Sequence, residues 1–138
     1  MILLDTNVVS ALMNDPPDPA VLSWINRQPR SAIWMTAVTV LEIEWGLKTM
    51  PVGNKRERLT AVYESFLREL NHRVTAFDHD AAGFAADLMA SRQKAGRVTD
   101  IRDTMIAGIV LARHATLATR NVAHFIDIPA QVVNPWVS

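Results

Sequence analysis

The chain has no cysteine among its 138 residues. This absence excludes a disulfide-stabilised scaffold, a zinc site built from thiolates and a cysteine nucleophile. Neither sign of charge is in excess, because 14 basic residues balance 14 acidic ones. A protein with this balance has no overall basic field to attract nucleic acid, so any such contact must come from a local patch or from bound cations.

Long apolar runs are missing as well. No segment approaches the roughly 20 apolar residues that are needed to cross a membrane. The opening residues Met1–Asp5 contain no basic leader and reach a carboxylate almost at once, which is unlike a secretory signal. We therefore expect a cytoplasmic protein without a membrane partner.

The composition that remains is typical of a folded domain. Apolar residues make up 49% of the chain and charged residues 20%, and this length suits one domain with its own core. No internal repeat, low-complexity segment or linker interrupts the sequence. We therefore expect a single domain over residues 1–138.

Short apolar runs alternate with segments of helical periodicity. The runs predict strands at residues 2–4, 32–35, 74–77, 115–119 and 131–133. The clearest helix is 55–71, where apolar residues recur every three or four positions, and the helical stripes also place Trp24 and Trp45 in the core. Strands that alternate with helices predict an α/β fold with a mostly parallel central sheet that is covered on both faces.

Polar residues stand close after the predicted strands. Asp5 follows the first strand, Glu42 lies about two turns into the helix after the second, Asp103 is in the first turn of a later helix, and Asn121 follows the fourth strand. Ligands of open parallel sheets bind beyond the carboxyl ends of the strands. We therefore expect these four side chains to meet in one cleft.

Three converging carboxylates need a compensating charge in order to stay ionised. A divalent cation supplies that charge, and hard oxygen ligands select Mg²⁺ or Mn²⁺. We therefore predict that Asp5, Glu42 and Asp103 hold such a metal. A metal in this setting lowers the pKa of water and shields the charge of a phosphate, which is the chemistry of phosphodiester hydrolysis.

Each of the four residues also has a purely structural interpretation. Asp5 and Asp103 stand where acidic side chains favour the start of a helix. Glu42 can be an exposed helix residue, and Asn121 is an ordinary turn residue. Only the joint placement of all four favours a catalytic site.

Two other classes of protein place acids at the strand ends of a similar sheet. A phosphoacceptor receiver domain needs an acidic pair beside the first strand and a lysine after the fifth, but Asp5 is followed by Thr6 and Asn7, and no lysine follows Lys94. A DxDxT phosphatase needs an aspartate where Asn7 stands. Neither class fits this sequence.

Four segments in order resemble the motifs of the PIN-domain family. They are residues 1–10 (MILLDTNVVS), 36–46 (containing TVLEIEWG), 103–108 (DTMIAG) and 117–125 (LATRNVAHF). The ending Asn134–Trp136 resembles the tail of FitB-like VapC toxins in particular. The resemblance spans essentially the whole chain.

This resemblance implies a three-layer α/β/α fold and a magnesium- or manganese-dependent endoribonuclease, the toxin of a VapBC-type toxin–antitoxin pair. The acidic residues of the family carry over to Asp5, Glu42 and Asp103. FitB-like members often have a fourth aspartate where this chain has Asn121, which keeps an oxygen ligand but removes a charge. The resemblance further implies a homodimer and a VapB-type antitoxin that blocks the active site and binds DNA.

Two other functions within the family stay open, a housekeeping RNA-processing nuclease and a non-catalytic regulatory domain. The three acids argue against the second, and the compact length without an RNA-binding extension favours the toxin. Arg97, Arg102 and Arg120 are candidates for RNA contact, with solvated surface charge as the alternative. Apolar surface near residues 59–70 and near Val8 and Leu12 also predicts a homodimer.

Overall fold

The computed structural model describes residues 1–137, so that Ser138, the last residue of the predicted domain, lies outside the described residues. The elements are β1 Ile2–Leu4, α1 Thr6–Met13, α2 Pro19–Asn26, β2 Ile33–Thr36, α3 Ala37–Thr49, α4 Asn54–Glu69, β3 Val74–Thr75, α5 His79–Lys94, α6 Ile101–Arg113, β4 Thr116–Ala118 and β5 Val132–Val133. Short 3₁₀ helices at Arg30–Ala32 and Val122–Phe125 precede β2 and follow β4.

The five strands form one sheet in the order β3-β2-β1-β4-β5, and every pairing is parallel. β1 is central, with Leu4 opposite Met35 of β2 and Ala118 of β4. Along the chain, β2 and β3 are added on one side of β1, and β4 and β5 are then added on the other side. The strand order therefore reverses between β1 and β4, and their carboxyl ends frame the crevice where this class of sheet binds ligands.

Helices cover both faces of the sheet, as the sequence predicts. Successive strand residues point to opposite faces, so Leu3 packs in one apolar cluster with Ile106 and Val110 of α6, and Leu4 packs in another. The second cluster includes Val8 of α1 and Tyr63 of α4. The three-layer α/β/α arrangement is thereby confirmed.

Side-chain caps explain where several helices begin. Asp18, Thr36, Asp78 and Asp100 each accept a hydrogen bond from a backbone N–H in the first turn of α2, α3, α5 and α6 respectively. At the other end of α5, Gly96 adopts a φ of 69°, a left-handed conformation that favours glycine after a helix. These local signals are visible in the sequence.

The contact between α5 and α6 depends on small residues. A Cβ atom on Gly108 would collide with the carbonyl oxygen of Ala81 and lie 2.8 Å from the Cβ of Ala85. Phe84 and Met89 of α5 are exposed, although their spacing with Ala81, Ala85 and Leu88 is that of one apolar helical stripe.

Trp45 was predicted in the core and is instead 60% exposed, because it lies one turn after Glu42 on the side of α3 that faces the cleft. Val8, which was expected to contribute surplus apolar surface, is fully buried, and Leu12 packs against the same core. β3 is two residues long rather than four, because the chain leaves the sheet edge toward the cap at Asp78.

None of the helices within residues 1–137 combines the length and the apolar character that a membrane crossing requires.

Candidate functional site

Asp5 lies at the carboxyl end of the central strand and is only 4% exposed. Its N–H donates to the carbonyl of Ala118 at 2.9 Å, which continues the pairing of β1 with β4. One carboxylate oxygen accepts the N–H of Thr6 at 2.8 Å, and the other accepts the hydroxyl of Thr119 at 2.7 Å. Asp5 therefore caps α1 and at the same time faces the crevice between β1 and β4.

Glu42 is held beside Asp5 through Thr6. The Thr6 hydroxyl donates to Oε1 of Glu42 at 2.9 Å, so its single proton is used. Thr39 must then donate in the 3.1 Å contact between the Thr39 and Thr6 hydroxyls, and Thr36 donates to Thr39 at 3.4 Å. The hydrogen bonds in this chain of hydroxyl groups therefore all point the same way, and the last of them ends on the Glu42 carboxylate.

Asp103 enters the site from the first turn of α6, which begins after the cap residue Asp100. Its Oδ2 lies 3.0 Å from Nδ1 of His124, in the 3₁₀ helix after β4. Asp103 therefore connects the start of α6 to the loop at the end of β4.

The three carboxylates influence one another electrostatically. Burial is the main reason why the pKa of Asp5 is raised above its ordinary value. Hydrogen bonds from Thr119 and Thr6 oppose that rise, whereas repulsion from Asp103 and Glu42 adds to it. The three predicted acids thus share one neighbourhood that lacks positive charge near Asp5.

Arg102 lies at the rim of this acidic site. Its Nη1 is 3.6 Å from Oε2 of Glu42, and its Nη2 is 3.2 Å from Oδ2 of Asp100. The centre of the guanidinium is 6.0 Å from the centre of the Trp45 ring, within the range of a cation–π contact. Of the three arginines predicted near the site, Arg102 is the one that contacts a predicted catalytic acid.

The other two arginines make contacts elsewhere. Arg97 forms a 3.1 Å ion pair with Asp127 and donates to the carbonyl of Ala123 at 2.7 Å. Arg120 stacks on Trp136, with 4.9 Å between the guanidinium and the ring centre. These contacts attach the loop after β4 and the C-terminal segment to the rest of the fold.

Asn121 stands at the margin of the site. Its N–H donates to the Thr119 hydroxyl oxygen at 3.0 Å, so its backbone supports the residue that holds Asp5. Its side chain does not cap the following 3₁₀ helix, and the residue is exposed. The structure therefore connects Asn121 to the site through its backbone.

A buried arginine fixes the elements around Asp103. Arg92 is 2% exposed and forms a forked ion pair with Asp127, at 2.8 and 2.9 Å. It also donates to the hydroxyl of Thr104 at 2.9 Å and to the carbonyl of His124 at 3.0 Å. Arg92 thereby joins α5 to the first turn of α6, which carries Asp103, and to the 3₁₀ helix that carries His124, the partner of Asp103.

The donor set suits a hard divalent cation, because it consists of carboxylate oxygens whose mutual repulsion is not compensated at Asp5. Within the described part of the chain, no three acidic or histidine side chains form a ready-made metal cluster. Glu42 and Asp103 are engaged instead by Arg102 and His124. A metal bound here would replace these two contacts.

Sequence reasoning found the acids but missed the groups that hold them. Thr6 and Thr39 orient Glu42, Thr119 fixes Asp5, and His124 contacts Asp103. Two of these had a signal in the sequence, because Thr6 is adjacent to Asp5 and Thr119 is the last residue of a predicted strand. His124 lies in the segment 117–125, but nothing local relates it to Asp103.

Comparisons with known proteins identify the family of this chain. The PIN domain family model matches residues 2–130. The VapC ribonuclease Y4jK of Sinorhizobium fredii is 39% identical over 137 residues, which are 99% of this chain and 98% of that protein. The toxin FitB of Neisseria gonorrhoeae is 29% identical over 99% of each chain.

A solved structure shares the fold over its full length. The crystal structure of FitAcB from Neisseria gonorrhoeae superposes with a TM-score of 0.91 and 29% identity, and covers all of both chains. With the family match spanning nearly the whole sequence and the acids located where strand order reverses, the chain belongs to the PIN-domain family.

Proposed function

We propose that this protein is a divalent-metal-dependent endoribonuclease that acts in the cytoplasm as the toxin of a toxin–antitoxin pair. The observation that carries the proposal is that Asp5, at the end of β1 beside β4, is repelled by both Glu42 and Asp103. A relative that is 39% identical over nearly its whole length is named a VapC ribonuclease, which supports the same activity here.

Asp5, Glu42 and Asp103 would hold the Mg²⁺ or Mn²⁺ ion. When bound, the metal supplies a water molecule of lowered pKa and neutralises charge on the scissile phosphate. The residues of the chain then have separate tasks. Thr119 and Thr6 keep the Asp5 carboxylate in one orientation, and Thr6 does the same for Glu42.

Asp103 would turn from His124 to the metal, and Asn121 would adjust the far side of the site with a neutral oxygen. Water, rather than the ribose 2′-hydroxyl, is the nucleophile in this mechanism. The products should therefore carry 5′-phosphate and 3′-hydroxyl ends.

Cleavage of RNA by the purified protein tests the proposal. We expect cutting with Mg²⁺ and none with EDTA or in Asp5→Asn, whereas Asp80→Asn, on an exposed turn of α5, should cut normally. Cleavage that survives EDTA, or products with 2′,3′-cyclic phosphate ends, would contradict the mechanism. RNA binding without any cleavage would favour the regulatory alternative.

We further propose a homodimer and a partner antitoxin that binds DNA. A solved structure of FitAB bound to a DNA fragment is 29% identical to this chain with a TM-score of 0.89, which supports a partner that binds DNA. Exposed apolar side chains, among them Leu41, Phe84 and Ile101, offer surface for a second copy. Sedimentation of the isolated protein as a monomer at micromolar concentration would argue against the dimer.

A further inference from the structure

An open groove beside Glu42 is lined mainly by α1 and α3. Thr6 and Glu42 are part of its lining, and its volume is about 330 Å³. Most of the remaining wall is apolar and includes Met13, Trp45, Leu47, Met50 and Leu59, beside the polar Ser10 and Asn14. The ribonuclease chemistry proposed above uses only Thr6 and Glu42.

We propose that this groove is a subsite for the base of a nucleotide next to the scissile phosphate. The proposal rests on the ribonuclease function proposed above. It assigns to Trp45 and to the apolar wall a role in binding unpaired RNA, for which the PIN-domain acids alone provide no surface.

The position of the groove favours a nucleotide as its occupant. Thr6 and Glu42 belong both to the groove and to the acidic site. A phosphodiester bound at the carboxylates therefore places one of its own nucleosides at the mouth of the groove. Because the groove and the acidic site share these two residues, the base needs only to turn out of its stack to enter the groove.

The chemistry of the groove fits an unpaired base. Proteins bind single-stranded RNA by packing bases against aromatic and apolar side chains and by placing cations along the backbone. Trp45 is 60% exposed on one wall, and Arg102 stands beside it with its guanidinium 6.0 Å from the ring. Arg102 complements the negative phosphodiester, whereas the chain as a whole carries no net charge.

Gly46 provides a direct way to fill the groove. It lies on the groove wall, and a Cβ atom added to it would meet no atom within 4 Å. A leucine at this position would occupy the groove without disturbing the core, and it would favour the helix by up to about 1 kcal/mol. Gly83 of α5 is an equally open helical glycine that does not line the groove, so Gly83→Leu is the matched control.

The test uses a synthetic single-stranded RNA that the wild-type protein cuts at a mapped position, together with versions that lack the base on either side of the cut. In the wild type, loss of the bound base should raise KM about tenfold, the size expected for one stacked base. Gly46→Leu should raise KM by a similar factor with kcat unchanged, and should then be insensitive to the missing base. An unchanged KM in Gly46→Leu, or a loss shared by Gly83→Leu, would overturn the proposal.

Further measurements separate this proposal from its rivals. If the wild type cuts no RNA, the proposed ribonuclease function is wrong. The subsite is then tested by comparing how tightly the wild type and Gly46→Leu bind labelled uridine and adenosine octamers. Equal binding by Gly46→Leu and the wild type would refute the subsite. A variant that cuts normally but becomes monomeric, or escapes its antitoxin, would assign the groove to a second copy or to the antitoxin and overturn the proposal.

Discussion

The hydroxyl group of Thr119 donates a 2.7 Å hydrogen bond to the buried carboxylate of Asp5, and so joins the ends of β4 and β1. The Thr119 oxygen in turn accepts the N–H of Asn121 at 3.0 Å and the side-chain amide of Asn7 at 3.4 Å. The orientation of the first acid of the site therefore depends on a residue 114 positions away in the sequence.

Replacement of Thr119 by valine should destabilise the protein, because a buried carboxylate then loses a donor. We expect a loss of about 1–3 kcal/mol in the free energy of unfolding, together with reduced RNA cleavage. Thr119→Ser retains the hydroxyl group and should retain most of the stability and most of the RNA cleavage. Urea unfolding and the cleavage assay check this prediction, and equal losses in the two variants would show that packing rather than the hydrogen bond is responsible.

Replacement of Asp5 by asparagine should raise the melting temperature in EDTA at neutral pH. Burial raises the pKa of this carboxyl, so its ionised form opposes folding. Protonation of the folded wild type relieves this cost, so the advantage of Asp5→Asn should be full above the raised pKa of folded Asp5 and vanish below the unfolded pKa of about 4. With Mg²⁺ present, only the wild type should gain stability from binding. A melting temperature that falls in EDTA would contradict this electrostatic account.

Replacement of Arg102 by glutamine should have opposite effects on metal and on RNA. The change removes a cation that lies 3.6 Å from Glu42, so less Mg²⁺ should be needed for half-maximal stabilisation. KM for RNA should rise, and the slope of log affinity against log salt should shrink by about 0.7, the value of one phosphate contact on a single strand. Arg97→Gln, which removes a contact to Asp127 instead, should leave the salt slope unchanged.

The two glycine-to-alanine changes at Gly108 and Gly46 should act in opposite directions. Alanine favours a helix over glycine by about 1 kcal/mol. At Gly46 the added methyl group meets nothing, so Gly46→Ala should stabilise the protein. At Gly108 it collides with the backbone of α5, and Gly108→Ala should cost about 1–3 kcal/mol. Thermal unfolding measures both, and a stabilised Gly108→Ala would show that α5 and α6 can separate without loss.

Replacement of the buried Arg92 by methionine should destabilise the protein by about 2–4 kcal/mol at pH 7, because Asp127, Thr104 and the His124 carbonyl lose their donor. The hydrogen bond from Arg92 lowers the pKa of Asp127. That part of the stability is present above the unfolded pKa of about 4 and is lost as the pH falls through the lower folded value. The difference in the free energy of unfolding between Arg92→Met and the wild type should therefore become smaller as the pH falls.

Arg92→Lys keeps the charge but loses the forked ion pair with Asp127. Its free energy of unfolding should therefore lie between those of the wild type and Arg92→Met. A gap that stays constant between pH 7 and pH 3 would mean that the ion pair with Asp127 contributes nothing to the loss.

The elements of this fold were predictable because their signals are local. A capping residue such as Thr36 and the apolar spacing after it lie within one helix. The exposure of Trp45, Phe84 and Met89 was not predictable in this way, because it depends on what each helix packs against. α5 turns Ala81 and Ala85 toward Gly108 of α6 and leaves Phe84 and Met89 at the surface.

The acids of the candidate site were predicted from their local positions: Asp5 follows a strand, Glu42 lies about two turns into the helix after another, and Asp103 is in the first turn of a helix. Their partners were not, because these contacts join distant parts of the chain. The contact of Thr6 with Glu42 requires α1 and α3 to lie side by side, and the contact of Arg102 with Glu42 requires α6 to begin at the same edge. Both follow from the strand order, which the sequence pattern does not specify.

The central position of β1 also determines when the site forms during synthesis. β1 is made before β4, one of its two neighbours in the sheet, whose residues come more than a hundred positions later. A nascent chain that stops before Ala118 has Asp5 without the Ala118 carbonyl and the Thr119 hydroxyl that orient it. This acidic site therefore cannot assemble until β4 and Thr119 have been made, so we expect no cutting by shorter nascent chains.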